Sequence, residues 1–154
     1  MSEAPPSQAA PLRIGVRFRL AADPGEMLAD ARAVEAAGAD SIWVDAADAE
    51  PYVALAAIAA VTWRARLFAR GAIGAGRETC ASLSRGRLVV AEECPERWVE
   101  LPFPAGRDEW NAKRAEIAAD GATGVILPND PRLIDLLRNP DVVEDRSDLK
   151  LSFG

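Results

Sequence analysis

ARAVEAAGADSIWVDAADAEPYVALAAIAAVT, residues 31–62, is the stretch that decides how this chain folds. Its first part closes an amphipathic helix, and Gly38 supplies the stop, a position where left-handed backbone suits glycine. Ser41, Ile42, Trp43 and Val44 follow as a short buried strand. An acidic loop with Asp45, Asp48 and Glu50 then leads into an alanine-rich helix over 50–63, with Pro51 near its first turn. Helix, strand, loop and helix in that order make the repeating unit of a parallel α/β fold.

Upstream, residues 12–20 alternate apolar Leu12, Ile14, Val16, Phe18 and Leu20 with Arg13, Gly15, Arg17 and Arg19. This period of two predicts a strand with one basic face. Central strands of parallel sheets usually read as unbroken apolar runs, so the pattern places this strand at an edge, or turns its arginines toward a polar site or a partner. Asp23 as N-cap, Pro24 at the first helical position and Glu26 in a capping box start the first helix. Downstream, further strands are expected at 66–70, 87–91, 98–101 and 125–127, and further helices at 108–120 and 131–138. The glycine-rich GAIGAGRETC, 71–80, reads as a loop. An internal repeat supports the assignment: Arg32 to Ala39 followed by Ile42-Trp43-Val44 matches Ala115 to Ala122 followed by Val125-Ile126-Leu127. The expected fold is a truncated (β/α) TIM-barrel-like α/β domain, with a parallel sheet of about five strands and four helices. A closed eightfold barrel needs about 250 residues, against 154 here. The domain is expected over 12–139, between a disordered arm at 1–11 and a charged, poorly ordered tail at 140–154.

Composition narrows the function classes. A net charge of −6 argues against nucleic acid and anionic membranes as main partners. No apolar run approaches the roughly 20 residues needed to span a bilayer. The opening MSEAPPSQAAP has neither the positive n-region nor the apolar h-region of a secretory signal, so a cytoplasmic location is expected. There is no histidine, and Cys80 and Cys94 do not form a metal-ligand spacing, so no metal site is expected. Both thiols are expected reduced and half-buried.

Several segments, in order, resemble the luciferase-like monooxygenases, a family of flavin- or deazaflavin-dependent barrel enzymes. RIGVRF at 13–18 resembles the family's first strand, and 34–44, ending Gly-Ala-Asp-Ser-Ile-Trp-Val, its next helix and strand. Pro51-Tyr52 with Leu55, Ile58 and Thr62, then Arg66-Leu67, resembles the second helix and third strand. Leu83-Ser84-Arg85-Gly86-Arg87-Leu88 resembles a Leu-Ser-x-Gly-Arg signature, and 118–137 a late αβ unit. The resemblance implies an oxidoreductase that uses FMN or a deazaflavin coenzyme, with Asp45 at the acidic position after the second strand. Two departures stand out. Where the family commonly follows that acidic residue with histidine, this chain has Ala46, and between Ala91 and Arg107 it lacks the long stretch that holds the cofactor phosphate.

Asp45, at the C-terminal end of a strand where barrel enzymes place catalytic groups, is the candidate catalytic residue. Asp48 and Glu50 share its loop. Gly71, Gly74 and Gly76 with Arg77, and Arg85 further on, are the candidate cofactor-binding residues, glycines to cradle a phosphate and arginines to pair with it. The motif is neither GxGxxG nor a Walker loop. Arg13, Arg17 and Arg19 are expected to pair with Glu92, Glu93 or Asp45, or to bind an anion. Glu92 and Glu93, adjacent on the chain, point apart. Trp43, Trp63, Trp98 and Trp110 are spaced too widely for a stacking platform and are read as core or interface. Two functions follow: a shortened luciferase-like oxidoreductase, or a non-catalytic fragment of that fold kept as a binding, regulatory or assembly partner. Either is expected as a homodimer or with a heteromeric protein partner, because an open half-barrel leaves strand edges to cover.

Overall fold

In a computed structural model, which describes residues 11–138, the chain is a curled, all-parallel sheet wrapped by helices on its outer face. The six strands are β1 (Arg13–Phe18), β2 (Ser41–Asp45), β3 (Arg66–Arg70), β4 (Leu88–Val90), β5 (Trp98–Glu100) and β6 (Gly124–Pro128). Their spatial order is β4-β3-β2-β1-β6-β5, and every pairing is parallel. Five helices accompany them: α1 (Pro24–Ala36), α2 (Pro51–Val61), α3 (Arg77–Leu83), α4 (Arg107–Ala119) and α5 (Leu133–Arg138). This is the expected truncated barrel, with one strand and one helix more than the approximate count. The expected N-terminal arm, Pro11 apart, and the C-terminal tail lie outside the described residues.

The repeat seen in the sequence is structural. Asp23 caps α1, its carboxylate accepting the Gly25 N–H at 2.9 Å. At the other end Gly38 takes φ +108°, its N–H donating to Glu35 O and that of Ala39 to Val34 O. The second unit repeats this with Gly121 at φ +79°, donating to Ala118 O, and Ala122 donating to Ile117 O. In both, the left-handed glycine turns the chain directly into a buried strand.

Strand alternation splits the side chains into two sets. Val16, Phe18, Ile42, Val44, Leu67, Val125 and Leu127 face the helices and form the main core with Leu55, Ile58 and Trp110. The opposite, concave face carries Trp43, Phe68 and Ile126, with Trp98, Val89, Ala91 and Cys94 packed on them. Trp43 stacks on Phe68 with ring centroids 4.0 Å apart, and Trp98 meets both edge-on at 5.4 and 5.6 Å. Such pairs add about 0.5–1.5 kcal/mol each beyond burial. Two glycines make room for them: a Cβ on Gly15 would sit 2.6 Å from the Trp43 Nε1, and one on Gly124 would run into the Trp98 ring. Trp43 and Trp98 pack as core, as expected, although their wide spacing in sequence did not suggest that they meet. Trp110 is core, as expected, whereas Trp63 is 68% exposed.

β1 is not an edge strand. It lies between β2 and β6, and its arginines turn into the concavity. Residues 91–97 close the curl between β4 and β5. The Glu92 carboxylate accepts from the N–H of Gly71, just past the C-terminal end of β3. Glu96, four positions on, binds Arg66 at the start of β3 and approaches Arg13 at the start of β1. The segment therefore descends the concave side from one end of the sheet to the other, where a longer barrel would insert more strands.

Candidate functional site

The C-terminal ends of β1, β2, β3 and β5 bring together Arg17, Asp45, Arg70 and Glu100, with Asp48 and Arg19 at the margin. Asp45 and Arg70 are register partners on adjacent strands, so their side chains leave the same face side by side. The pair is bidentate: Arg70 Nε donates to Asp45 Oδ1, and Arg70 Nη2 to Oδ2 at 2.7 Å. Arg70 Nη2 also donates to Glu100 Oε2 at 2.9 Å, and Arg17 Nη1 to Glu100 Oε1. Arg17 Nε lies 3.8 Å from Asp45 and 3.7 Å from Asp48, and Arg19 reaches Asp48 at 3.4 Å. The guanidinium of Arg70 also lies over the Trp43 ring, 5.5 Å from its centroid. The Asp45 hydrogen bond, opposed by partial burial and joined by Glu100, holds the Arg70 guanidinium firmly in its charged form.

Asp45 therefore stands where the sequence reading put it, at the strand end. It is nevertheless neutralised by two arginines, and the space beneath it is filled by Trp43, Phe68 and Trp98. A general base needs an accessible lone pair within hydrogen-bond reach of its substrate. Both carboxylate oxygens of Asp45 already accept from Arg70. A shallow depression of about 430 Å³ beside Arg17 and Arg19 is walled by Leu20, Ala21, Pro128 and Asn129, and Asp45 is not part of its wall. The expected pairing of Arg17 with Asp45 is present; Arg13 faces Glu96, and neither Glu92 nor Glu93 joins these arginines.

The glycine-rich segment is organised differently from a phosphate cradle. Gly71, at φ +70°, gives its N–H to Glu92. Gly74 turns the chain at φ +133°, and Gly76 precedes α3, a helix the sequence reading took as loop. A Cβ on Gly76 would meet the Tyr52 Cβ at 2.9 Å, so this glycine serves close packing. Arg77 makes a two-point pair with Glu93 at 2.8 and 2.6 Å. That pair raises the Arg77 pKa and lowers that of Glu93. Two carboxylates, Glu92 and Glu93, thus hold the Gly71 N–H and the Arg77 guanidinium, two of the donors that the phosphate of a flavin or deazaflavin would need. Among the described residues no group of three His, Cys, Asp or Glu side chains could hold a metal ion.

Arg85 lies elsewhere. It adopts left-handed backbone, φ 54°, donates to Thr62 O at 3.3 Å and covers the Trp63 ring at 4.3 Å. Thr62 precedes β3, so Arg85 belongs to the N-terminal end of the sheet, opposite Asp45. Arg77 and Arg85 flank α3 at its two ends and do not converge. Beside Arg85, the buried Arg87 donates to the carbonyls of Ala59, Thr62, Ala65 and Ser84 and to Thr62 Oγ1. It fills the C-terminal end of α2, where orphan carbonyls collect. The Leu-Ser-Arg-Gly-Arg-Leu stretch is thus a clamp between α2, α3 and β4.

Glu35 completes that end. Its carboxylate, in a residue only 7% exposed, accepts from the backbone N–H groups of Trp63, Arg64 and Ala65 at 2.8–3.0 Å. Burial pushes its pKa up, but those three donors and the charge of Arg87 outweigh it and hold the group below the ordinary value. Sequence reading did not single out Arg70, Glu100, Glu35 or Arg87. A signal existed for Arg70: in both RIGVRF and RLFAR, arginines four apart flank an apolar centre, so Arg66 and Arg70 share the face that Arg13 and Arg17 share in β1.

No protein-family model matches this chain, and neither a curated protein nor a solved structure matches it significantly.

Proposed function

We propose that this protein is a non-catalytic half-barrel that works as a binding or assembly partner. One observation carries the reading: the mouth carboxylate, Asp45, is closed off by Arg70 and Arg17 over a solid aromatic plug. The chain has no histidine to move a proton near neutral pH, and no other side chain titrates there unperturbed. No helix of the described residues is long and apolar enough to cross a membrane.

A second reading has one observation in its favour. Asp45 occupies the C-terminal end of a parallel strand, the end at which barrel enzymes assemble their sites. On that reading the protein is a luciferase-like oxidoreductase, and a bound FMN or deazaflavin coenzyme would supply the redox chemistry. Fluorescence titration of the purified protein with each cofactor separates the two. The assembly reading expects no saturable change; saturable binding at micromolar cofactor would replace it with the oxidoreductase.

A further inference from the structure

The two edges of the curled sheet are not equivalent. Beyond β4 lies a groove bordered by residues 93–95 of the descending segment, with the Arg77–Glu93 pair at its side. β5 has no such cover. Arg97 O and Leu101 N bond to the β6 side, which by alternation turns the N–H and C=O groups of Trp98 and Glu100 outward. Among the described residues no backbone hydrogen bond crosses that outer edge. Alongside it runs a groove of about 570 Å³, between β5 and α4. Val99, Leu101 and Ile117 form its apolar floor, and Lys113, Glu116 and Asp120 stand on the α4 side. An uncovered strand edge beside an apolar groove is a template for another strand.

We infer that this edge is the docking surface for a second copy of the chain, with β5 pairing antiparallel to β5 of the partner across a twofold axis. Self-complementarity is the argument. An isologous contact requires each patch to match itself reversed. Of the charged side chains that line this groove, one is a cation and two are carboxylates: Lys113, then Glu116 and, just past the end of α4, Asp120, which Arg97 of the same chain also holds at 2.9 Å. Running two such helices antiparallel sets each Lys113 against the partner's acidic turn. Within one chain Lys113 has only a 3.7 Å approach to Glu116, and both side chains are at least half exposed, so it is available for that exchange. The inference rests on the assembly reading above and names its partner.

Sedimentation velocity over a concentration series, combined with hydrogen exchange of the Trp98 and Glu100 amides, tests it. The expected result is a monomer–dimer equilibrium in which both amides gain protection as dimer forms. Lys113→Glu, on an exposed helix face, is expected to weaken the dimer at least tenfold. Mixing it with Glu116→Lys/Asp120→Lys is expected to restore association as a heterodimer. A monomer at every concentration overturns the inference. So does a dimer whose β5 amides stay unprotected, or protection already complete in the monomer, which would mean that the chain covers its own edge. A monomer that also binds no flavin breaks the dimer while leaving the non-catalytic reading in place.

Discussion

Glu35 and Arg87, at the N-terminal end of the sheet, direct their charges at backbone, whereas Asp45, Arg70, Arg17 and Glu100, at the C-terminal end, direct theirs at one another. Glu35 and Arg87 are buried and saturated by main-chain groups: three N–H donors on the carboxylate, four carbonyls and a hydroxyl on the guanidinium. They join α1, α2 and the approaches to β3 and β4, so the fold depends on them. Asp45, Arg70, Arg17 and Glu100 are only partly covered and pair side chain to side chain. Partly exposed pairs of that kind contribute less than buried charges bonded to backbone, because water competes and side-chain entropy is lost. The difference teaches that the conspicuous charge cluster at the mouth is a closure, and the inconspicuous one below it is the structural anchor.

The largest effect that would break this contrast is at Arg87. Arg87→Ala leaves several buried carbonyls without donors and should cost about 3 kcal/mol, read as a lower urea midpoint at constant m. A loss below about 1 kcal/mol would put the two ends on a par. Next comes Glu35→Gln, expected to cost about 2 kcal/mol at neutral pH, since an amide oxygen replaces a carboxylate facing three donors. Its pH dependence has a definite sign. The folded pKa lies below the ordinary 4.5, so the contribution is complete above that pH and is lost as pH falls through the folded value. The gap between wild type and Glu35→Gln should therefore narrow in acid; a constant gap would contradict the assignment. Gly124→Ala, which drives a methyl into the Trp98 ring, should cost about 1–3 kcal/mol by overpacking. Asp45→Asn should cost only about 1 kcal/mol, because Arg70 keeps Glu100. The smallest difference is chemical. Burial pushes the Cys80 thiol up to about 11, while Cys94 is half-buried, so an alkylating reagent should modify Cys94 first and Cys80 only on unfolding.

Much of this was legible in the sequence, and the failures have physical causes. Strands and long helices announce themselves by periodicity, caps and left-handed glycines, which is why the repeat at 32–44 and 115–127 is visible in the sequence alone. α3 was missed because it has seven residues and no side-chain N-cap, and follows three glycines. The arginines of β1 argued either for an edge strand or for a polar site, and the second holds: the strand is central, and Asp45, Glu96 and Glu100, contributed by distant segments, compensate them inside the curl. Placing Asp45 needed only the strand end. Knowing that it is tied to Arg70 needed the register of β2 against β3, which local patterning does not contain.

The central claim is that Asp45 is committed to Arg70 and unavailable to a ligand. Its most direct test is the Arg70 side-chain Nε–H signal in a ¹⁵N correlation spectrum. The account predicts a slowly exchanging signal that is lost in Asp45→Asn and does not move when FMN or a deazaflavin coenzyme is added. A saturable shift on adding either cofactor would contradict it, and would return Asp45 to the role of a site residue.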